Sequence, residues 1–304
     1  MAWRTGYTDR VNAILRSGSS AYLSAEARGA NGISYFVSGN YGSNGNTGLS
    51  WDDPFETLAY ALAVSHANIA ASSKGWAARN TIFISGDTFV EDLTKGAQKT
   101  DIVGVGSDDH RYGAGITGNH VFDSTNYMGM RFFNVNFLTP AGGGVQVTIP
   151  TTCSGIGFFG CKFEATAAAP ADTAILATAS ESLSIVGCNF VGRYAVATID
   201  LGTGATNGLI IANNFIESAA IGIRVHASLT CALRQAMIVD NFFNVQTLVI
   251  DDNSSKIGIY GNRGSTAAAK EIATVLDCNE LTAGDNVFGN ATGIGIYPAY
   301  AAIT

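Results

Sequence analysis

The second half of the chain repeats one pattern of apolar and polar positions. A short run of β-branched or aromatic residues is followed by a polar residue or Asn and then, in most copies, by Phe. The copies are Met130–Phe137, Ile156–Phe163, Leu183–Phe190 and Leu209–Phe215, with weaker ones at Met237–Phe242, Ile257–Asn262 and Ala283–Phe288. The polar residue or Asn of each copy falls at positions 136, 162, 189, 214, 241, 262 and 286, which is a nearly regular period. This period predicts a coil with three short parallel strands in each rung.

Stacked rungs place equivalent side chains above one another, because parallel strands lie about 4.8 Å apart. Asn tolerates left-handed backbone and its amide can bond to the next rung, so we expect turn positions for Asn189, Asn213, Asn214, Asn241, Asn262 and Asn286. We expect an inward-facing stack of Phe137, Phe163, Phe190, Phe215 and Phe242. Cys161 and Cys188, which lie one period apart in the same column, are predicted core neighbours without a disulfide.

A second column has the same period. An apolar residue precedes a polar one in Ile199-Asp200, Val225-His226, Ile250-Asp251 and Leu276-Asp277, so the polar residue recurs at positions 200, 226, 251 and 277. Arg224 stands two residues before His226 and so points to the same face of its strand. Asp200, Arg224, His226 and Asp251 are therefore the predicted carbohydrate-contact face.

Three interpretations of this face stay open. Asp200 and Asp251, about 10 Å apart across two rungs, could flank a glycosidic bond as in an inverting hydrolase. They could contact a glycan without catalysis, or each Asp could accept hydrogen bonds from the backbone of its own turn. No catalytic residue, metal site or cofactor is assigned from the sequence.

The first half predicts the start of the coil. A strand over Ser34–Asn40 runs into a Gly/Asn loop, and Asp53, Pro54 and Glu56 have the spacing of an N-cap, first helical residue and capping-box acid. We expect an amphipathic helix near residues 54–70 that covers the open end of the coil. Strands are expected over Thr81–Gly86 and Asp101–Gly106.

These features resemble the right-handed parallel β-helix proteins of the pectin-lyase-like superfamily. The similarity covers about residues 33–298 and rests on Tyr35–Gly39, the Gly/Asn loop, Trp51–Phe55, Thr81–Gly86 and the repeats. In character the chain is most similar to phage tailspikes and virion surface proteins. The expected fold is all-β: a single-stranded right-handed parallel β-helix of about nine rungs, with a capping α-helix and a short N-terminal arm. Residues 1–32 are the predicted arm, residues 33–298 the coil and residues 299–304 a C-terminal tail.

The resemblance implies a structural protein of a phage or virus-like particle, either capsid decoration or a tail spike. Residues 1–31 would attach it to other virion proteins, and three copies would pack as a homotrimer through outward residues such as Val249 and Val275. The implied location is the virion surface, after assembly in the host cytoplasm. The alternative is a carbohydrate-active enzyme, a polysaccharide hydrolase or lyase, acting on host surface glycan. A bacterial adhesin is a third possibility, weakened because the chain start lacks the apolar run of a secretion signal.

Composition agrees with a stacked coil. Charged residues make up 13% of the 304 residues, about half the usual 25%, as expected if like charges would repel along every ladder. The net charge of −7 and the lack of a Lys/Arg block predict no nucleic-acid partner. No apolar run reaches the roughly 18 residues of a membrane helix, so no membrane partner is predicted. The scattered Cys residues predict free core thiols, and the isolated His66 and His120 predict core or surface roles.

Overall fold

The computed structural model describes most of the coil. The described residues are 32–72, 77–106, 114–122, 128–151, 153–166, 169–178, 181–202, 208–218, 220–226, 236–245, 248–252, 257–266, 272–274, 283–284, 286–290 and 293–297. The predicted arm, apart from residue 32, and the predicted tail lie outside this set.

The described strands form three sheets around one apolar core. Sheet A contains β1 (Ser34–Val37), β2 (Asn80–Ile84), β4 (Thr100–Gly104), β7 (Arg131–Phe133), β10 (Gly157–Phe159), β13 (Ser184–Val186), β16 (Ile210–Ala212), β19 (Met237–Val239), β22 (Gly258–Tyr260) and β25 (Ala283–Gly284). Sheet B contains β3 (Thr88–Val90), β5 (Gly115–Thr117), β8 (Asn136–Leu138), β11 (Lys162–Ala165), β14 (Asn189–Gly192), β17 (Phe215–Ser218), β20 (Phe242–Val245), β23 (Arg263–Thr266), β26 (Asn286–Asn290) and β27 (Gly293–Tyr297). Sheet C contains β6 (His120–Val121), β9 (Val145–Ile149), β12 (Ala171–Ala177), β15 (Tyr194–Leu201), β18 (Ile221–Val225), β21 (Leu248–Asp252) and β24 (Ile272–Thr274).

The chain winds as a parallel β-solenoid, which confirms the predicted all-β coil and its three strands per rung. The regular part makes about five turns, in which the sheet A strands β7, β10, β13, β16 and β19 begin at positions 131, 157, 184, 210 and 237. The spacing of these starts is nearly constant. Before β7 the sheet A strands begin at positions 34, 80 and 100, so that region lacks the regular period. The prediction of about nine rungs is wrong, because the coil makes about five turns, and its strands form three sheets where the predicted fold was described as single-stranded.

Phenylalanine rings stack along the middle of the coil, as predicted for three of the five named residues. Phe137 lies 4.7 Å from Phe163 between ring centroids, and Phe163 lies 4.7 Å from Phe190, with the rings nearly parallel in both pairs. All three side chains are fully buried. Stacked, in-register aromatic residues contribute both burial and ring–ring contact to this part of the core.

The prediction for Phe215 and Phe242 is wrong. These residues pair in register with Asn189, whereas the inward position of Phe190 continues as Ile216 and Phe243. Phe215 is 37% exposed and Phe242 is 50% exposed. In these later rungs Phe stands one position nearer the turn than in the earlier rungs, and a shift of one residue moves a strand side chain to the opposite face.

One turn, between the strands of sheet A and sheet B, recurs with the same backbone. It contains a left-handed residue with φ between 52° and 65° at Asn134, Gly160, Gly187, Asn213, Asp240 and Gly261. Asn, Asp and Gly are the residues that adopt this conformation most readily. The predicted turn role of Asn213 is thus confirmed, while Asn214, Asn241 and Asn262 occupy the next position and point into the coil.

These three asparagines form a buried ladder. Asn214 Nδ2 donates to Ile185 O and to Asn241 Oδ1, both at 2.9 Å. Asn241 Nδ2 likewise donates to Ile211 O at 3.0 Å and to Asn262 Oδ1 at 2.9 Å. Their Oδ1 atoms accept the backbone N–H of the preceding rung. The predicted bonding of Asn amides to the next rung is confirmed for these three residues.

The N-terminal helix starts later than predicted. Helix α1 spans Leu58–Ala71, and its N-cap is Thr57, whose Oγ1 accepts from Tyr60 N at 3.3 Å. Asp53 does not cap it and instead accepts from Thr47 in the preceding loop. The Glu91 carboxylate binds the N–H groups of Leu58 and Ala59 at 2.9 Å each, although burial raises its pKa.

Helix α1 packs against the first strands of sheet A and contributes Leu58, Ala61 and Leu62 to the core. At the other end of sheet B, β27 pairs antiparallel with β26. The predicted parallel coil to residue 298 is therefore wrong at its end, where the chain reverses direction. A hairpin strand of this kind covers the last parallel strand edge.

Candidate functional site

The predicted carbohydrate-contact face lies on sheet C, but its ladder is not the predicted one. Asp200 pairs in register with Arg224, and Arg224 pairs with Asp251. His226 therefore does not lie between the two Asp residues. The position between them is occupied by Arg224, two residues before His226 in the sequence. The same ladder position in the next rung is Ala273, while Asp277 lies outside the described residues.

Asp200, Arg224 and His226 form a compact ion-pair cluster. Arg224 Nε donates to Asp200 Oδ1 at 3.1 Å, and its Nη2 donates to Oδ2. His226 Nε2 lies 3.2 Å from Asp200 Oδ1. Asp200 is only 5% exposed, so a fork-shaped pair of charge-assisted bonds fixes a nearly buried carboxylate.

Electrostatics along this ladder favour the charged form of Arg224. The hydrogen bond to Asp200 raises the pKa of the guanidinium, burial opposes the rise, and the charges of Asp200 and Asp251 add to it. The order of charges along the ladder is negative, positive, negative. Arg224 therefore separates the two Asp residues, and the expected repulsion between carboxylates is replaced by attraction.

This geometry limits the chemistry of Asp200. Both of its carboxylate oxygens accept hydrogen bonds from the Arg224 side chain, and His226 adds a third contact. Because Arg224 engages both oxygens, the Asp200 carboxylate forms a contact between adjacent strands and is not presented to a ligand by itself. Among the described residues, the hydrogen bonds of Asp200 come from side chains, while residues 203–207 of the turn that follows β15 lie outside them.

A related cluster on sheet A was not predicted from the sequence. Asp101 Oδ1 accepts from Arg79 Nη1 at 2.8 Å and from Arg131 Nε at 2.7 Å, and its Oδ2 accepts from Arg131 Nη2 at 2.6 Å. Asp101 and Arg131 are in register on adjacent strands, but their separation in sequence is longer than the period of the repeat. Charged residues in this coil thus occur as cross-rung pairs more than once.

The described residues hold neither a metal-binding cluster nor a membrane-spanning helix. Among them, His, Cys, Asp and Glu side chains do not gather in groups of three or more that could hold a metal ion. Within the same part of the chain, helix α1 is not long and apolar enough to cross a membrane. Cys153, Cys161 and Cys188 are buried and are not disulfide-bonded, as predicted, while Cys231 and Cys278 lie outside the described residues.

No family model, curated protein or solved structure matches the chain. The fold that is established is therefore a parallel β-solenoid, defined by its own strand pairing. The likeness to pectin-lyase-like and tailspike proteins remains a prediction from the sequence.

Proposed function

We propose that the chain is a structural protein of the surface of a phage or virus-like particle, without catalytic activity. Residues 1–31 attach it to other virion proteins, and the β-solenoid projects from the particle as part of a homotrimer. Its place is the virion surface, reached after assembly in the host cytoplasm. The proposed location draws on the sequence resemblance to tailspike and capsid-decorating coils.

The observation that carries the structural assignment is the bonding of Asp200. The most promising constellation for chemistry in the sequence is used to tie adjacent rungs together, with both oxygens of Asp200 engaged by Arg224. Buried pairs of this type favour one register of neighbouring strands. A coil whose charges and amides bond from rung to rung suits a rigid spacer on a particle.

A second candidate is a carbohydrate-active enzyme that uses Asp200, Arg224, His226 and Asp251. It is favoured by the placement of two carboxylates, a guanidinium and a half-exposed imidazole on one sheet face. Host polysaccharide would be its substrate, and the same glycan would be the ligand of this face in a non-catalytic binder. The enzyme requires Asp200 to take part in cleaving a glycosidic bond, whereas the structural protein and the non-catalytic binder do not.

The test combines location and activity. Immunogold labelling and mass spectrometry of purified particles should detect the intact chain, and the purified protein should release neither reducing sugar nor unsaturated product from host surface polysaccharide. Product release that Asp200→Asn abolishes, while the exposed control Asp172→Asn leaves it unchanged, would establish the enzyme instead. Absence of the chain from particles would contradict the structural proposal.

A further inference from the structure

One irregular segment closes the first edge of sheet C. Residues 91–97, which we call the strap, follow β3 and belong to no helix or strand. Leu93 O accepts from Val121 N of β6 at 2.9 Å, and Asp92 Oδ1 accepts from Asn119 N at 2.8 Å. Because β6 is the first strand of sheet C, the strap covers the edge that an unprotected sheet would present to other strands.

A histidine holds the strap from inside the coil. His120 of β6 is fully buried, and its Nδ1 accepts from Leu93 N at 3.2 Å. The His120 ring packs edge-on against Phe137 of β8, with centroids 5.6 Å apart. In a neutral imidazole one nitrogen accepts and the other carries the hydrogen, so Nε2 is the donor here, and among the described residues it has no partner. The strap is therefore bonded to the one neutral form of His120 that accepts at Nδ1.

Protonation of His120 breaks this contact. Both nitrogens of an imidazolium carry hydrogens, so Nδ1 no longer accepts from Leu93 N and two N–H groups face each other. The new charge is also buried, and among the described residues neither ring nitrogen lies against an acceptor. Burial accordingly lowers the pKa of His120 from 6.5 to about 4, while the charge of Asp92 opposes the shift. Acid therefore favours any opening that brings this ring into contact with water.

The other titratable groups around the strap do not supply this effect. Strands β8 and β9, which pack against His120, contain no titratable residue, and Lys95 of the strap is exposed. The Glu91 carboxylate binds the N–H groups of Leu58 and Ala59 in helix α1, and burial raises its pKa. An acid whose pKa is higher in the folded than in the unfolded protein favours the folded form as the pH falls. Glu91 thus works against opening in acid.

We propose that the strap is an acid-operated gate, which leaves β6 when His120 takes up a proton. The strap opens at a lower cost than the strands around His120, because those strands continue as ladders into the following rungs whereas residues 91–97 belong to no ladder. Its release exposes the first edge of sheet C and the buried side chain of Leu93. The inference concerns the fold itself and goes beyond the proposed function, since it does not depend on a particle.

Hydrogen–deuterium exchange of the full chain at pH 7 and pH 4.5 tests the gate. Rates are corrected for the intrinsic effect of pH and measured where the opening equilibrium limits exchange. The opening equilibrium constant at the Leu93 amide should then rise about 60-fold at the lower pH, the factor given by a pKa of 6.5 in the open form and about 4 in the closed form. Amides of the late rungs, such as that of Ile238, should keep their protection.

Two variants separate His120 from other acid effects. His120→Asn keeps an acceptor for Leu93 N but cannot become charged, so the rise at Leu93 should disappear. The matched control Asp172→Asn removes an exposed carboxylate on a distant strand, β12, and should behave as the wild type does. Thermal unfolding at pH 7 checks that each variant is folded. Nitrogen-15 NMR of the wild-type imidazoles needs no variant, and it should show the His120 hydrogen on Nε2 at pH 7.

Four results would overturn the proposal. The first three are equal Leu93 protection at the two pH values, a rise in opening that His120→Asn retains, and a rise of the same size at Ile238, which would assign the effect to unfolding of the whole coil. The fourth is a His120 hydrogen on Nδ1 at pH 7. Detection of the chain in particles is a separate measurement, so failure of this proposal and failure of the proposed function are distinguishable.

Discussion

The turn between sheets A and B is built differently in the early and late parts of the regular coil. After its left-handed residue, the early rungs have Val135, Cys161 and Cys188, whereas the later rungs have Asn214, Asn241 and Asn262. Cys188 Sγ donates to Phe158 O at 3.4 Å, and Asn214 Nδ2 donates to the equivalent carbonyl, that of Ile185, at 2.9 Å. One backbone turn thus accepts either a small apolar or weakly polar side chain or an amide, provided that the amide is fully bonded.

The comparison predicts its largest effect at Asn241. Asn241→Ala removes two bonds that Asn241 donates and two that it accepts from Asn214, leaving buried polar groups without partners. We expect a loss of about 3–5 kcal/mol in the free energy of unfolding. Urea denaturation measures it.

The matched control is Cys188→Ala, which changes the same column in an early rung. Its expected loss is about 1–2 kcal/mol, because only a small side chain with weak bonds is removed. Equal losses for the two variants would contradict the claim that the Asn ladder of the late rungs stabilises the turn more than the Cys side chains of the early rungs do.

A buried polar group of the early region is less well bonded than the ladder. His120 in β6 is fully buried, and its Nδ1 accepts from Leu93 N at 3.2 Å, but its Nε2 has no hydrogen-bond partner among the described residues. Burial lowers the pKa of His120 from 6.5 to about 4, while Asp92 opposes the shift. The unfolded chain therefore takes up this proton at a higher pH than the folded protein does.

The stability linked to His120 is complete above about pH 6.5 and falls as the pH drops toward 4. At about 1.36 kcal/mol per pH unit, the loss reaches about 3 kcal/mol. His120→Asn keeps an acceptor for Leu93 N but cannot become charged, so urea midpoints should fall less between pH 7 and pH 4.5 than in the wild type. Identical falls in the two proteins would exclude His120 as a cause of acid sensitivity.

A smaller effect is expected at the left-handed residue that the early and late rungs share. Gly160 has a φ of 58°, and a Cβ added there meets no atom within 4 Å, so Gly160→Ala changes the backbone energy without a clash. We expect a loss of about 1–2 kcal/mol in thermal or urea unfolding. Asn213→Gly at the equivalent turn should be nearly neutral, and a large loss there would show that the side chain, not the backbone, matters.

The smallest change in stability is expected when an early rung receives the Asn that the late rungs have at this turn position. Cys188→Asn places an amide near Phe158 O, where the thiol now donates, and next to Asn214 in the ladder. The free energy of unfolding should change by less than about 1 kcal/mol, within the range of a satisfied polar exchange. A loss near that of Asn241→Ala would mean that early turns cannot accept the ladder.

Spacing alone was enough to predict much of the fold. The repeat identified the strands of the regular coil, and Phe137, Phe163 and Phe190 stack as expected. Spacing failed where Phe stands one position nearer the turn. At that position Phe215 and Phe242 face outward. Helix α1 begins at Leu58 and not after Asp53, since Glu91, distant in sequence, binds its first amides.

The candidate site was found in part. Asp200, Arg224, His226 and Asp251 do lie on or directly after neighbouring strands, but their order depends on register, which put Arg224 where His226 was expected. The Asp101 cluster was missed because neither Arg79 nor Arg131 lies one period away from it. Long-range pairs outside a repeat leave no regular signal in a single sequence.

The structural assignment of Asp200 is tested most directly by a double-mutant cycle of Asp200→Asn and Arg224→Gln in urea unfolding. The bidentate pair should give a coupling energy of about 1–3 kcal/mol in favour of the intact pair. A coupling energy near zero, with each variant as stable as the wild type, would contradict the claim that this carboxylate joins the rungs.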